Sequence, residues 1–426
     1  FPPGLARVGG IIAADAPLRR TTLPNGLTVL SEHMPGVRSV SIGAWVRAAS
    51  LHESSDRMGV SHMLEHMVFK GTRNRTARDI ALSLEVLGGS LDAYTAREHT
   101  SFQARVLDEH LVEAADVVGD LIFRPLLRRE DLLLERKVVL EEIGMVDDTP
   151  DDLVFELHNE ALWGAHPYGH SILGTRDTVS ALGVRELKAL HGRAYHPSQI
   201  VVACTGNVTH EQLLDALSRT GWNEMPGGDA ARLTTPPAVA APPVRRHVER
   251  ECTQTHIVYG ATAVPHHDPR RYAVALVDTI LGGGMSSRLF QRVREELGLA
   301  YAVHTFQSFH PDTGVCGVYV GTSPETAEQA TQAIDQELDR LAEHSLSSDE
   351  IIAGKSQLKG QVTLSLESVS SRMYRAAGVA LYDEPYRSLE ETLALIDAIT
   401  PQTIADICAE FYPSSRQTVL SLGPTS

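Results

Sequence analysis

Tyr195-His196-Pro197-Ser198, leading into Ile200-Val201-Val202-Ala203-Cys204-Thr205-Gly206, has a counterpart later in the chain: Tyr412-Pro413-Ser414, leading into Thr418-Val419-Leu420-Ser421-Leu422-Gly423. Pro197 and Pro413 lie 216 positions apart, and Gly206 and Gly423 lie 217 apart. Ser41-Ile42-Gly43-Ala44 matches Val258-Tyr259-Gly260-Ala261, again with a spacing of 217. Chance readily supplies one such match but not three in register, so the chain reads as an internal duplication. Between the halves runs Met225 to Val244 (MPGGDAARLTTPPAVAAPPV), rich in Pro, Gly and Ala and almost without periodicity, which reads as a linker. The expected organisation is a first domain over 15–225, a linker over 226–243 and a homologous second domain over 244–426. A length of 426 residues suits two cores better than one.

Each half shows the same coarse order of a strand pair, a helix, a second strand pair, several helices and a closing strand. Arg20 to Glu32 contains Asn25-Gly26, a strong hairpin signal, and Ser39 to Arg47 alternates as the next strand. A helix is expected from about Gly59 to Phe69. Leu91 to Val106 is strand-like, whereas Leu111 to Ile122, Arg129 to Met145 and Ser180 to Tyr195 carry helical spacing. Hairpins mixed with helices predict an α+β fold, each domain a mainly antiparallel sheet faced by helices, rather than a doubly wound parallel sheet.

Composition narrows the function class. The hydrophobic fraction of 42% and charged fraction of 22% are ordinary for a globular protein. With 38 basic against 54 acidic residues, the formal charge is -16, which argues against a nucleic-acid partner. No run approaches the roughly 18 apolar residues of a membrane span, and the N-terminal FPPGLARVGGIIAADAP is too short in its apolar part for a secretory signal. These features favour the cytoplasm. Because the sequence begins at Phe1, a secreted or organellar location stays open. Cys204, Cys252, Cys316 and Cys408 are widely spaced without a CxxC pair and read as reduced, mostly buried thiols.

Gly59-Val60-Ser61-His62-Met63-Leu64-Glu65-His66-Met67 puts two imidazoles four residues apart, on one face of a helix about a turn from each other. They are placed to share a metal. Glu65 projects toward the same face and is placed to take a proton from metal-bound water. This HxxEH order is the inverzincin signature. The competing reading is an amphipathic helix with two satisfied histidines. An open catalytic zinc site takes three protein ligands plus water, so a third ligand must come from elsewhere. The acidic helix Arg129 to Met145 offers Glu135, Glu141 and Glu142. Glu135 and Glu142 are seven apart and lie on nearly one face, with Glu141 rotated away from Glu135. We assign Glu142 as the ligand and Glu135 as its outer neighbour, against the simpler reading of a solvated charged face.

His62-Met63-Leu64-Glu65-His66-Met67-Val68-Phe69-Lys70-Gly71-Thr72, followed by Glu141-Glu142-Ile143, resembles the family of pitrilysin, insulin-degrading enzyme and mitochondrial processing peptidase, and the resemblance covers essentially the whole chain. It implies a zinc endopeptidase with His62, His66 and Glu142 on the metal and Glu65 activating water. By the same resemblance Phe69 helps shape the pocket for the residue after the scissile bond, where ordinary core packing is the alternative. Gly88 to Thr100, with Ala93, Tyr94 and Thr95 at its centre, resembles the family's edge strand, onto which an extended peptide substrate adds as another strand. Arg294 and Tyr301 match an Arg/Tyr pair that holds substrate and supports the tetrahedral oxyanion. The second half has no HxxEH; its equivalent helix reads Asp278-Thr279-Ile280-Leu281-Gly282-Gly283-Gly284 and is expected to be metal-free. Gly282 to Ser287 (GGGMSS) lacks the GK[ST] ending of a phosphate loop. Long members of the family hold four such domains, closing over a chamber, so the resemblance makes this chain one half of a clamshell. That implies a homodimer, or alternatively a heterodimer with a homologous inert subunit. The rival functions are a structural subunit of a larger assembly and a peptide-binding module, neither of which needs a metal.

Overall fold

In the computed structural model, which describes residues 18–229 and 233–424, the Asn25-Gly26 turn forms the hairpin its sequence requires. Strand β1 (Arg19–Thr22) pairs antiparallel with β2 (Thr28–His33), Thr22 opposite Thr28, and Gly26 takes a φ of +90° that only glycine adopts freely. The expected domain start at residue 15, residues 230–232 of the expected linker and the last two residues lie outside the described residues. β3 (Ser39–Val46), the hairpin of β4 (Ser90–Thr95) and β5 (Thr100–Leu107), and β6 (Ile200–Gly206) complete a six-stranded sheet in the order β1-β2-β6-β3-β5-β4. Its one parallel pair is β2 with β6.

The second half repeats this plan. β7 (Arg245–Glu249), β8 (Thr255–Ala263), β9 (Ala300–Phe309), β10 (Gly314–Thr322) and β11 (Thr418–Gly423) run in the order β7-β11-β8-β10-β9. Again one pair is parallel, β7 with β11. Strand by strand, β2-β6-β3-β5-β4 becomes β7-β11-β8-β10-β9, so the duplication inferred from three short matches is a duplication of topology. β4 and β9 are the corresponding free edges.

Helices cover one face of each sheet and bury the two main cores. Met63, Leu64, Val118, Leu121 and Leu217 pack under the first sheet, and Val274, Val277, Ile334, Ile404 and Ile407 under the second. The opposite faces are covered by exchange. The helix Pro150–Trp163, from the first half, lies on β8 and β11, while Val369–Leu381, from the second half, lies on β2, β3 and β6. Leu30, Trp45, Val201 and Ala203 therefore bury against Met373, Ala376, Ala377 and Ala380. Val154 likewise buries with Val258, Leu420 and Leu422. Arg372 forms an ion pair with the fully buried Glu32, and the Arg47 guanidinium donates to the Ala380 and Leu381 carbonyls.

The helical run expected over Ser180 to Tyr195 is broken into Arg176–Ala181 and Val184–Ala194. Leu182 turns to extended backbone and is buried, and Glu186 reaches back to accept the Gly183 amide at 3.1 Å, starting a new helix. The stretch between Met225 and Val244 contains no helix or strand among its described residues, but it is not loose: Ala238 and Ala240 pack beside Leu51, Leu162 and Trp163. Cys204, Cys316 and Cys408 are buried free thiols, and Cys252 is partly exposed. Among the described residues no helix is long and apolar enough to cross a membrane.

Candidate metal centre

The helix Val60–Val68 buries Met63, Leu64, Met67 and Val68 in the first core, which turns His62, Glu65 and His66 toward the facing helix and β4. That facing helix, Arg129–Asp147, is anchored by Leu132, Val139 and Ile143 and presents Glu135 and Glu142 one above the other. Three atoms converge. His62 Nε2 and His66 Nε2 are 3.2 Å apart, and each lies 3.6 Å from Glu142 Oε2. A tetrahedral zinc ion about 2.0–2.1 Å from each ligand sets such atoms roughly 3.3–3.4 Å apart. Among the described residues, these three form the one cluster of histidine, cysteine and carboxylate groups close enough to hold a metal. The donor set, two imidazoles and one carboxylate with the remaining side open to a cavity, fits a catalytic zinc ion.

The surroundings act on the two imidazoles in opposite directions. Burial, with His66 nearby, pulls His62 down to about 3, so it stays neutral and able to ligate. Burial also pulls on His66, but the Glu135 hydrogen bond and charge outweigh it and raise that imidazole. Glu135 accepts from His66 Nδ1 at 2.9 Å and from Lys70 Nζ at 2.6 Å. It thereby fixes the tautomer that leaves Nε2 for the metal. Glu65 does not join the three ligand atoms; its Oε2 accepts the Thr95 hydroxyl at 2.6 Å. Burial raises the Glu65 carboxyl above the ordinary range, opposed by Thr95 and His66, which makes it a stronger base than a solvated glutamate.

A cavity of 640 Å³ opens on this group, lined by His62, Glu65, His66 and Glu142 together with Ala93, Tyr94 and Thr95 of β4. The first sheet ends at β4, whose outer backbone groups are unpaired with any neighbouring strand. Asp152, Phe155 and Glu156 of the exchanged helix, with Val146, Ile172 and Leu173, form the rest of the wall. These were not among the expected site residues; acidic groups four apart just after Pro150, at a helix start, are the one signal that pointed to them.

Two expected groups sit elsewhere. Phe69 packs on the core against Phe102, ring centroids 6.5 Å apart, and does not line the cavity. Arg294 and Tyr301 belong to the second half: the Arg294 guanidinium lies 4.6 Å from the Tyr301 ring and donates to its carbonyl at 3.1 Å. Tyr301, on the edge strand β9, is 76% exposed. The pair is thus formed, but on an open surface outside the cavity.

Comparison with known proteins bears on the fold and the family. The profile described as insulinase (Peptidase family M16) matches residues 28–176, and that described as the Peptidase M16 inactive domain matches residues 181–358. An uncharacterized zinc protease of Streptomyces coelicolor is 38% identical over 415 residues, 96% of this chain and 90% of that protein. One from Bacillus subtilis is 35% identical over 395 residues, covering 93% and 96%. A protease from Helicobacter pylori superposes with a TM-score of 0.90 at 20% identity, covering 96% of this chain and all of that one. A peptidase M16 inactive domain from Pseudomonas fluorescens gives 0.89, also at 20% identity, covering 96% and 98%. With both halves matched in order and the relatives aligned nearly end to end, the chain belongs to the insulinase family of peptidases, Peptidase family M16.

Proposed function

We propose that this protein is a zinc-dependent endopeptidase that cleaves unfolded peptides, with Glu65 as general base. One observation carries the reading: three ligand atoms at tetrahedral spacing share a cavity with a buried carboxylate and a free sheet edge. The naming of relatives as zinc proteases supports it.

His62, His66 and Glu142 would hold the zinc ion. When bound, it would supply Lewis acidity toward water and the scissile carbonyl. The substrate backbone adds to β4 as a further strand, so main-chain hydrogen bonds capture it with little regard to sequence. Glu65 accepts a proton from the attacking water and returns it to the leaving amine. Thr95, on that same edge strand, occupies one Glu65 oxygen and leaves the other for this exchange. Glu65, Glu142, Asp152 and Glu156 give the cavity an acidic wall that favours basic side chains.

The active assembly is a homodimer, in which the exposed Arg294 and Tyr301 of a second copy face the cavity and stabilise the oxyanion, the two copies enclosing a chamber. A heterodimer with an inert homologue is the other arrangement that completes the site. A monomer by light scattering at working concentration counts against both.

The test is zinc content together with cleavage of a quenched fluorescent basic peptide, for the wild type and Glu65→Gln. Stoichiometric zinc is expected in both, with cleavage reduced about 10²–10⁴-fold in the variant. Equal cleavage by the two proteins, or no zinc after a metal-replete preparation, refutes the reading.

A further inference from the structure

The helix that carries His62, Glu65 and His66 has no capping side chain of its own. Gly59 stands at the cap position, at a φ of +86°. The first-turn amides are met instead from a preceding loop: Glu53 accepts the Gly59 amide through Oε2 at 2.8 Å and the Ser61 amide through Oε1 at 2.7 Å. Glu53 is 8% exposed. A second restraint lies on the other side. A Cβ on Gly59 would come within 2.4 Å of the Leu173 carbonyl oxygen, and one on Gly174 within 2.4 Å of the Met58 carbonyl oxygen. Two glycines thus let backbone press on backbone at the point where the helix begins.

We propose that Glu53 is a positioning residue for the metal centre, fixing the height and rotation of the helix so that His62 converges with His66 and Glu142 before any metal arrives. This deepens the peptidase reading and rests on it. The two histidines are restrained differently. His66 Nδ1 is held by Glu135, whereas His62 Nδ1 is buried without a hydrogen-bond partner. The direction of the His62 ring therefore depends on the backbone beneath it, and the residue immediately before it is Ser61, whose amide Glu53 holds. A carboxylate that accepts two amides with separate oxygens fixes two points of the helix, where a single acceptor would leave it free to pivot. Burial raises the Glu53 carboxyl, and the hydrogen bonds from Ser61 and Gly59 oppose that by favouring the charged form.

The experiment measures zinc affinity of metal-free protein by competition with a chromophoric chelator, alongside kcat and KM, for the wild type, Glu53→Gln and Glu65→Gln. Glutamine preserves shape but loses the charge and one of the two acceptors. Glu53→Gln is expected to bind zinc about tenfold or more weakly, with a lower kcat and an unchanged KM. Glu65→Gln keeps its zinc affinity. Equal zinc affinity and kcat in a folded Glu53→Gln overturn the positioning role and leave the peptidase reading intact; a wild type that binds no zinc overturns both. Should Glu53→Gln not fold, hydrogen exchange of the Met58–His62 segment in the wild type and Glu53→Asp decides. Exchange equally slow with and without zinc in the wild type, and faster in Glu53→Asp, supports preorganisation by Glu53. Fast exchange that zinc suppresses shows that the metal orders the helix, and overturns it.

Discussion

A chain ending at Val244, which keeps the first sheet and the complete metal cluster, is expected not to fold by itself. The reason is the exchanged helix Val369–Leu381, which that fragment lacks. Without it Leu30, Trp45 and Val201, each at most 1% exposed, lose their cover. Burying a large apolar side chain contributes roughly 1.5–3 kcal/mol, so these three alone represent about 5–9 kcal/mol. Ala203 and the hydrogen bonds from Arg47 to the Ala380 and Leu381 carbonyls add to this loss. The Glu32–Arg372 ion pair adds little, because Glu32 is rehydrated once the helix is gone. Typical domains are stable by only about 5–15 kcal/mol, so the deletion removes most or all of the margin. The fragment should show loose tertiary packing by near-ultraviolet circular dichroism and bind hydrophobic dye, and co-expression with residues 245–426 should restore it. The full chain, correspondingly, should melt in one transition with equal calorimetric and van't Hoff enthalpies. A fragment that unfolds cooperatively in urea and binds zinc as tightly as the full chain would refute the argument that each half completes the other.

Glu135→Gln should weaken zinc binding about 10–100-fold, because the amide cannot accept from both His66 and Lys70; chelator competition giving the wild-type affinity would exclude this role. Gly174→Ala should lower stability by more than about 1 kcal/mol, since its φ of +81° and the nearby Met58 carbonyl leave no room for a Cβ; an unshifted urea midpoint would contradict it. Burial pushes Glu384 up, but hydrogen bonds from His266 and Arg271 and their charge prevail and hold its carboxyl down to about 2. Its ordinary value is 4.5, so its stabilising contribution is fully present above about pH 4.5 and fades as pH falls toward about 2. The stability gap between the wild type and Glu384→Gln in urea should therefore narrow across this range; a gap independent of pH would show that the ion pair is not the cause.

What could be read in advance was whatever local periodicity or chemical identity encodes. Asn25-Gly26 makes a hairpin wherever it stands between strand-like runs, and HxxEH puts two imidazoles on one helix face without help from the rest of the fold. Glu135 and Glu142 followed because a seven-residue spacing is nearly two helical turns. The exchange of Pro150–Trp163 and Val369–Leu381 was hidden for the converse reason: an apolar helix face has the same period whichever sheet it covers, and nothing in Ala376-Ala377 names Trp45 as its neighbour. The split at Leu182-Gly183 was missed because helical spacing continues across it, and only the capping contact of Glu186 interrupts the run. The same division runs through the site itself. Metal ligands are limited to a few residue types, so their pattern is conspicuous. The groups that aim them need only present an oxygen at the right place: the Glu53 carboxylate meets backbone amides and the Thr95 hydroxyl meets a carboxylate 30 positions away. Any acceptor or donor that folding brought there would serve, so a site's chemistry is easier to recognise in a sequence than the contacts that give it its geometry.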